Sequence, residues 1–129
     1  MDHQKIATFF MFSGRAMEAM NFYTTLFDNS EINKVLYHED GTVLHAIFTL
    51  NGQTYMCIDS KEEHNFNFTP SISLFITCET AEEIDALYQK LSEEGTVLMP
   101  ICSTPVSEKY AWVNDKFGVS WQLMLITSS

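Results

Sequence analysis

The apolar positions follow one order of periods twice along the chain. Lys5 to Phe12 is a continuous β-prone run, and after Ser13-Gly14 the apolar residues Ala16, Ala19, Met20, Tyr23, Leu26 and Phe27 recur at helical spacing. Three strands are predicted next, at about Glu31–His38, Thr42–Leu50 and Gln53–Asp59. They are separated by Glu39-Asp40-Gly41 and Asn51-Gly52, both strong hairpin signals. The second half opens with a strand over Ser71–Thr77. Thr80-Ala81-Glu82-Glu83 then has the spacing of a capping box, which satisfies orphan amides at a helix start. Ile84, Leu87, Tyr88 and Leu91 form the apolar stripe of that helix, and Gly95 fits as its stop. Strands near Thr96–Ile101, Lys109–Asn114 and Val119–Ile126 complete the half.

The two halves correspond in detail. Phe22-Tyr23-Thr24-Thr25-Leu26 is matched by Leu87-Tyr88-Gln89-Lys90-Leu91, and Asn51-Gly52 by Phe117-Gly118, each about 65 residues later. The predicted class is therefore α+β: two tandem βαβββ modules, residues 1–59 and 71–129, joined by a connector over 60–70 rich in Glu, Asn and Phe. The 129 residues fit one domain, in which a curled mixed sheet encloses a cleft and carries its helices on the outer face.

Composition narrows the function classes. A formal net charge of −10, with 7 basic residues and no basic cluster, repels phosphate backbones and anionic lipid, so nucleic acid is excluded as a partner. No apolar run approaches the roughly 20 residues of a bilayer span, and the N-terminus lacks a basic region leading into an apolar stretch, so the expected location is the cytoplasm. Cys57, Cys78 and Cys102 are odd in number, widely spaced and set in apolar strand contexts. They read as reduced, buried thiols rather than a disulfide framework or zinc site.

Among candidate chemical groups, Gln122 stands out as a polar residue inside an apolar strand, between Trp121 and Leu123. The turn before it is mechanical: Asp115 hydrogen-bonds its own following backbone and Gly118 supplies a positive φ. Gln122 is either a buried amide bonded to neighbouring strands or a ligand contact. His38 and His45 flank the Asp40-Gly41 turn, and a two-residue hairpin would set His38 opposite Val43 and His45 opposite Leu36, with both imidazoles on one face. No carboxylate joins that pair at a fixed spacing, so solvated histidines are the simpler reading. Glu82, Glu83, Asp85, Glu93 and Glu94 belong to a solvated helix face, and no Gly-x-Ser-x-Gly elbow is present.

The run Ala16 to Phe27, with Phe48-Thr49-Leu50-Asn51-Gly52-Gln53, Ile72-Ser73-Leu74-Phe75 and Trp112 to Gln122, closely resembles the PhnB-like family of the glyoxalase, bleomycin-resistance and extradiol-dioxygenase superfamily, the vicinal oxygen chelate fold. The resemblance covers nearly the whole chain and implies paired βαβββ modules and, usually, a homodimer. The family often carries the label of a demethylubiquinone methyltransferase. A methyl donor is normally held by a glycine-rich turn, however, and the glycines here are isolated, at 14, 41, 52, 95 and 118.

Enzymes of that superfamily typically bind a divalent metal through His or Glu on the first and last strands of each module. By resemblance, Thr8 and Ser71 stand at the first-strand positions and Gln122 at the final Glu, while Tyr55, Cys57 or Asp59 takes the remaining place according to register. Hydroxyls and a neutral amide are poor ligands beside imidazole and carboxylate, so no metal and no cofactor are expected. Thr8, Ser71, Ser73 and Gln122 are instead read as a polar cluster orienting a ligand, with Phe10, Phe12 and Phe75 as apolar walls; filling of the cleft by those same rings is the competing reading. The expected function is metal-independent binding of a small apolar or aromatic molecule. The alternative is a lyase, isomerase or dioxygenase with a non-standard metal site or none.

Overall fold

In the computed structural model, which describes residues 4–60, 68, 71–105 and 107–126, each apolar pattern becomes an element of the expected kind. Strand β1 (Thr8–Phe12) leads into helix α1 (Ala16–Leu26) and then into β2 (Glu31–Tyr37), β3 (Val43–Leu50) and β4 (Gln53–Asp59). The series recurs as β5 (Leu74–Cys78), α2 (Ala81–Ser92), β6 (Thr96–Thr104), β7 (Ser107–Asn114) and β8 (Ser120–Leu125). The chain divides into two compact units, Met1–His64 and Asn65–Ser129. Each unit holds one four-stranded mixed sheet, ordered β1-β4-β3-β2 in the first and β5-β8-β7-β6 in the second. In both, the first strand runs parallel to the last and the other pairs are antiparallel. This is the α+β arrangement of the glyoxalase fold.

In the first unit α1 buries Ala16, Ala19, Met20 and Tyr23 against Phe10, Phe12, Ala46, Phe48 and Cys57. Aromatic packing dominates, with Phe10 6.5 Å from Tyr23 and 6.4 Å from Phe48 between ring centroids. The residue before α1, Arg15, offers no side-chain cap. Asp59, at the end of β4, supplies it from a distance. One carboxylate oxygen accepts from the amides of Gly14 at 2.8 Å and Ala16 at 2.9 Å, and the other from Val43 at 3.0 Å. A negative group is thus buried where the helix dipole is positive and amides lack partners, and it also ties α1 to β3.

The second unit caps its helix locally. Thr80 accepts from the Glu83 amide at 3.1 Å, and Glu83 accepts in return from the Glu79 amide at 2.8 Å, one residue earlier than the capping-box pattern requires. Ile84, Leu87 and Leu91 pack against a floor of Cys78, Ala111, Val113, Trp121 and Leu123. The turn before β8 forms as the sequence predicts. Asp115 accepts from the amides of Phe117 at 2.8 Å and Val119 at 3.0 Å, Gly118 takes a φ of 93°, and the Trp121 indole donates to the second Asp115 oxygen at 2.8 Å.

Three details differ from the expectation. Gly95 does not stop the helix with a left-handed turn; Glu94 takes that conformation at φ 59°, and Gly95 is needed because a Cβ there would collide with the carbonyl oxygen of Asn114. β6 runs past the expected Ile101 to Thr104; Pro100 within it has no N–H to donate, which an edge strand tolerates, and the register shifts on both sides of it. Between β2 and β3 the loop runs from His38 to Thr42 and is closed by the His38 amide donating to the Thr42 carbonyl at 2.8 Å, and a register shift pairs Tyr37 rather than His38 with Val43.

Candidate functional site

Strand alternation sorts each sheet into a side facing its own helix and a side turned away from it. In the first unit the pairs Thr8↔Tyr55, Phe10↔Cys57 and Phe12↔Asp59 share the α1 side, whereas Phe9↔Met56 and Met11↔Ile58 share the other. Phe10 and Phe12 are therefore buried core residues on the α1 side, with the Phe10 ring tilted against Tyr23, not walls of a ligand site as the sequence suggested. Thr8 lies on that same side, at the exposed start of β1. Tyr55, Cys57 and Asp59 also face α1, so none of the first unit's proposed counterparts of a metal ligand reaches the far side. The register position that Gln122 holds in the second unit belongs to Met56 in the first, since Phe9 pairs with Met56 as Phe75 pairs with Gln122.

In the second unit the structure brings Ser73, Phe75 and Gln122 together on the side turned away from α2. Phe75 pairs with Gln122 and is 52% exposed. The Gln122 amide nitrogen donates to the Ser73 hydroxyl at 3.3 Å, and its carbonyl oxygen accepts from the Tyr110 phenol at 2.5 Å. Ser73 and Ser120 share a hydrogen bond of 2.7 Å, and the Trp112 indole donates to Ser120 at 2.8 Å. Ser71 lies in an exposed turn three residues before β5, and Ser73 is a hydroxyl that meets Gln122.

Tyr110, Trp112 and Ser120 were not among the residues singled out from sequence. Their signal is a period of two: Tyr110, Trp112 and Asn114 alternate with buried Ala111 and Val113, and the hairpin at Asp115–Gly118 sets them beside Ser120 and Gln122. Burial pushes the Tyr110 phenol above its ordinary value, and the neighbouring Cys102 adds to the shift. The phenol therefore stays protonated and holds Gln122 as an acceptor on that side, with the amide nitrogen toward Ser73. An indole can only donate, so the direction at Trp112 is also fixed.

The donor set does not fit a divalent metal. The cluster offers a neutral amide, two hydroxyls, an indole and a protonated phenol, while Met56 occupies the equivalent place in the first unit. Among the described residues no group of three His, Cys, Asp or Glu side chains stands together. The His38 and His45 pairing does not form as the hairpin rule suggested: Leu36 does oppose His45, but the shift between Leu36 and Tyr37 breaks the alternation beyond it.

The model of the family described as 3-demethylubiquinone-9 3-methyltransferase matches residues 4–124. A Bacillus cereus structure described as a putative 3-demethylubiquinone-9 3-methyltransferase, PhnB protein, is 58% identical, covers 95% of this chain and 99% of that one, and has a TM-score of 0.92. Two more distant structures share the fold alone. The fosfomycin resistance protein FosX of Listeria monocytogenes is 11% identical over 98% of this chain and 96% of its own, with a TM-score of 0.70. A glyoxylase/bleomycin resistance protein/dioxygenase domain from Frankia is 13% identical over 99% and 96%, with a TM-score of 0.66. No curated protein matches.

Proposed function

Since the chain belongs to the PhnB-like family, whose model bears the description 3-demethylubiquinone-9 3-methyltransferase, within the glyoxalase and bleomycin-resistance fold, we propose that it binds a small neutral apolar or aromatic molecule without a metal. The binding surface is the side of the second sheet turned away from α2. The observation that supports this most is the chain of hydrogen bonds from Tyr110 through Gln122, Ser73 and Ser120 to Trp112, set among the apolar side chains of Phe75, Met99 and Met124. Every group in that chain is uncharged, which suits a ligand without formal charge. The net charge of −10 further disfavours an anion. Fixed dipoles set in an apolar surround are how ligand sites orient what they hold.

Methyl transfer is disfavoured because the isolated glycines provide no turn for a methyl donor. General-base catalysis is disfavoured too, since the titratable group closest to Gln122 is a phenol kept protonated. The same reading takes the protein as a cytoplasmic homodimer: each sheet ends in edge strands that need covering, and among the described residues no helix is long and apolar enough to cross a membrane.

Calorimetric titration against neutral aromatic and quinone-like compounds tests the proposal. At least one compound should bind saturably, and Gln122→Met should weaken it about tenfold, or ~1.4 kcal/mol, while leaving the melting temperature within a few degrees. Failure of every compound to bind, undiminished binding by Gln122→Met, or a stoichiometric bound metal in protein purified without a tag would sink it.

A further inference from the structure

Asn114 ends β7 on the same side of the sheet as Tyr110 and Trp112, paired with Ser120 and diagonal to Gln122. Its side-chain oxygen is shielded from solvent and has no hydrogen-bond partner. Neighbours do not relieve it. The Ser120 hydroxyl is engaged by Trp112 and Ser73, and the other cross-strand partner, Thr96, makes no bond to it. A buried carbonyl oxygen left unpaired is penalised by its full desolvation, so such a group in a polar cluster calls for an explanation. Gln122 shows the complementary feature: one amide hydrogen goes to Ser73, and its second has no partner among the described residues.

We propose that Asn114 is a specificity-determining acceptor, and that the molecule bound around Gln122 is an aromatic compound carrying a hydroxyl or N–H donor. This rests on the binding reading above and narrows it. The ligand's O–H or N–H is donated to the Asn114 oxygen, its oxygen or nitrogen lone pair accepts the spare Gln122 amide hydrogen, and its ring lies on Phe75 and Met124. A compound of equal shape lacking the donor leaves the Asn114 oxygen as unpaired as it is in the free protein, so the two compounds differ by the one buried hydrogen bond that the donor gains.

The test compares 2-naphthol with 2-methoxynaphthalene by calorimetry on the full chain. The wild type should bind the naphthol about tenfold more tightly than its methyl ether, and Asn114→Leu should bring the two to near equality by weakening the naphthol alone. Its melting temperature should hold or rise, because the variant removes an unpaired buried oxygen; a purely structural asparagine would give a fall. Asn114→Ser, smaller and polar, repeats the comparison should the leucine variant not fold. Equal binding of both compounds by the wild type, or a preference that survives in both variants, overturns the role of Asn114 while leaving the Gln122 site standing. If neither compound binds the wild type, the binding reading falls and this inference falls with it.

Discussion

The two units repeat one backbone plan and put different chemistry on it. Phe9 faces Met56 at the register position where Phe75 faces Gln122, and Ala7 precedes β1 where Ser73 precedes β5. The side of the first sheet turned away from its helix thus carries Phe9, Met11, Met56 and Ile58, and that of the second carries a run of hydrogen bonds. Strand register and helix packing tolerate either set, because the core depends only on the alternate residues that face the helix. The units also start their helices differently: α1 borrows Asp59 from a strand more than 40 residues away, while α2 is capped by Thr80 within its own turn. A fold can therefore repeat while its site, and even the contacts that hold its helices, do not.

The helix starts give the widest predicted contrast. Asp59→Ala leaves the amides of Gly14, Ala16 and Val43 without their buried acceptor and should destabilise the protein by about 3–5 kcal/mol in urea unfolding. Asp59→Asn keeps one acceptor oxygen and should fall in between. A loss below ~1 kcal/mol for Asp59→Ala would mean that the carboxylate is not what joins α1 to β3.

Thr80→Ala should cost only about 1 kcal/mol, the usual worth of an N-cap, since the Glu83 bond to Glu79 can persist and the helix end is exposed to water. Equal losses at Asp59 and Thr80 would erase the distinction between a distant, buried cap and a local, solvated one.

The same contrast separates what the sequence made legible from what it hid. Local signals are legible: the capping pair at Thr80 and Glu83, the Asn51-Gly52 and Asp115–Gly118 turns, and the order of strands and helices all follow from patterns within a few residues. Asp59 as a helix cap was not legible, because the bond spans most of a module and leaves no spacing to recognise. The site was half legible. Gln122 stands out as polar in an apolar strand, and Ser73 and Phe75 share its side. Phe10 and Phe12 were misplaced for a physical reason: Phe9, Phe10, Met11 and Phe12 are all apolar, so the run has no period of two by which to tell one side from the other. Asn114 gave no sign, since an unpaired oxygen exists only once its neighbours are folded around it.

The thiols give the smallest effect and the sharpest check on which side is which. Cys57 and Cys78 face the helices, and burial pushes both thiols from 9.0 up to about 12, with the nearby carboxylates of Asp59 and Glu83 adding to the shift. Cys102 pairs with Tyr110, on the side turned away from α2, and is only partly buried. At pH 8 a disulfide reagent should therefore modify Cys102 in the folded protein and reach Cys57 and Cys78 only after unfolding. A compound bound around Gln122 should slow the reaction at Cys102. The pH dependence has a definite sign. The folded protein favours the protonated thiols, so their contribution to stability is complete below about pH 9 and is lost as the pH rises toward 12, where the unfolded chain has already released its protons. Urea midpoints should hold level from pH 7 to about 8.5 and then fall, and Cys57→Ala with Cys78→Ala should flatten that fall. Rapid modification of all three thiols at pH 8 would show that the buried and exposed sides of the two sheets have been assigned the wrong way round.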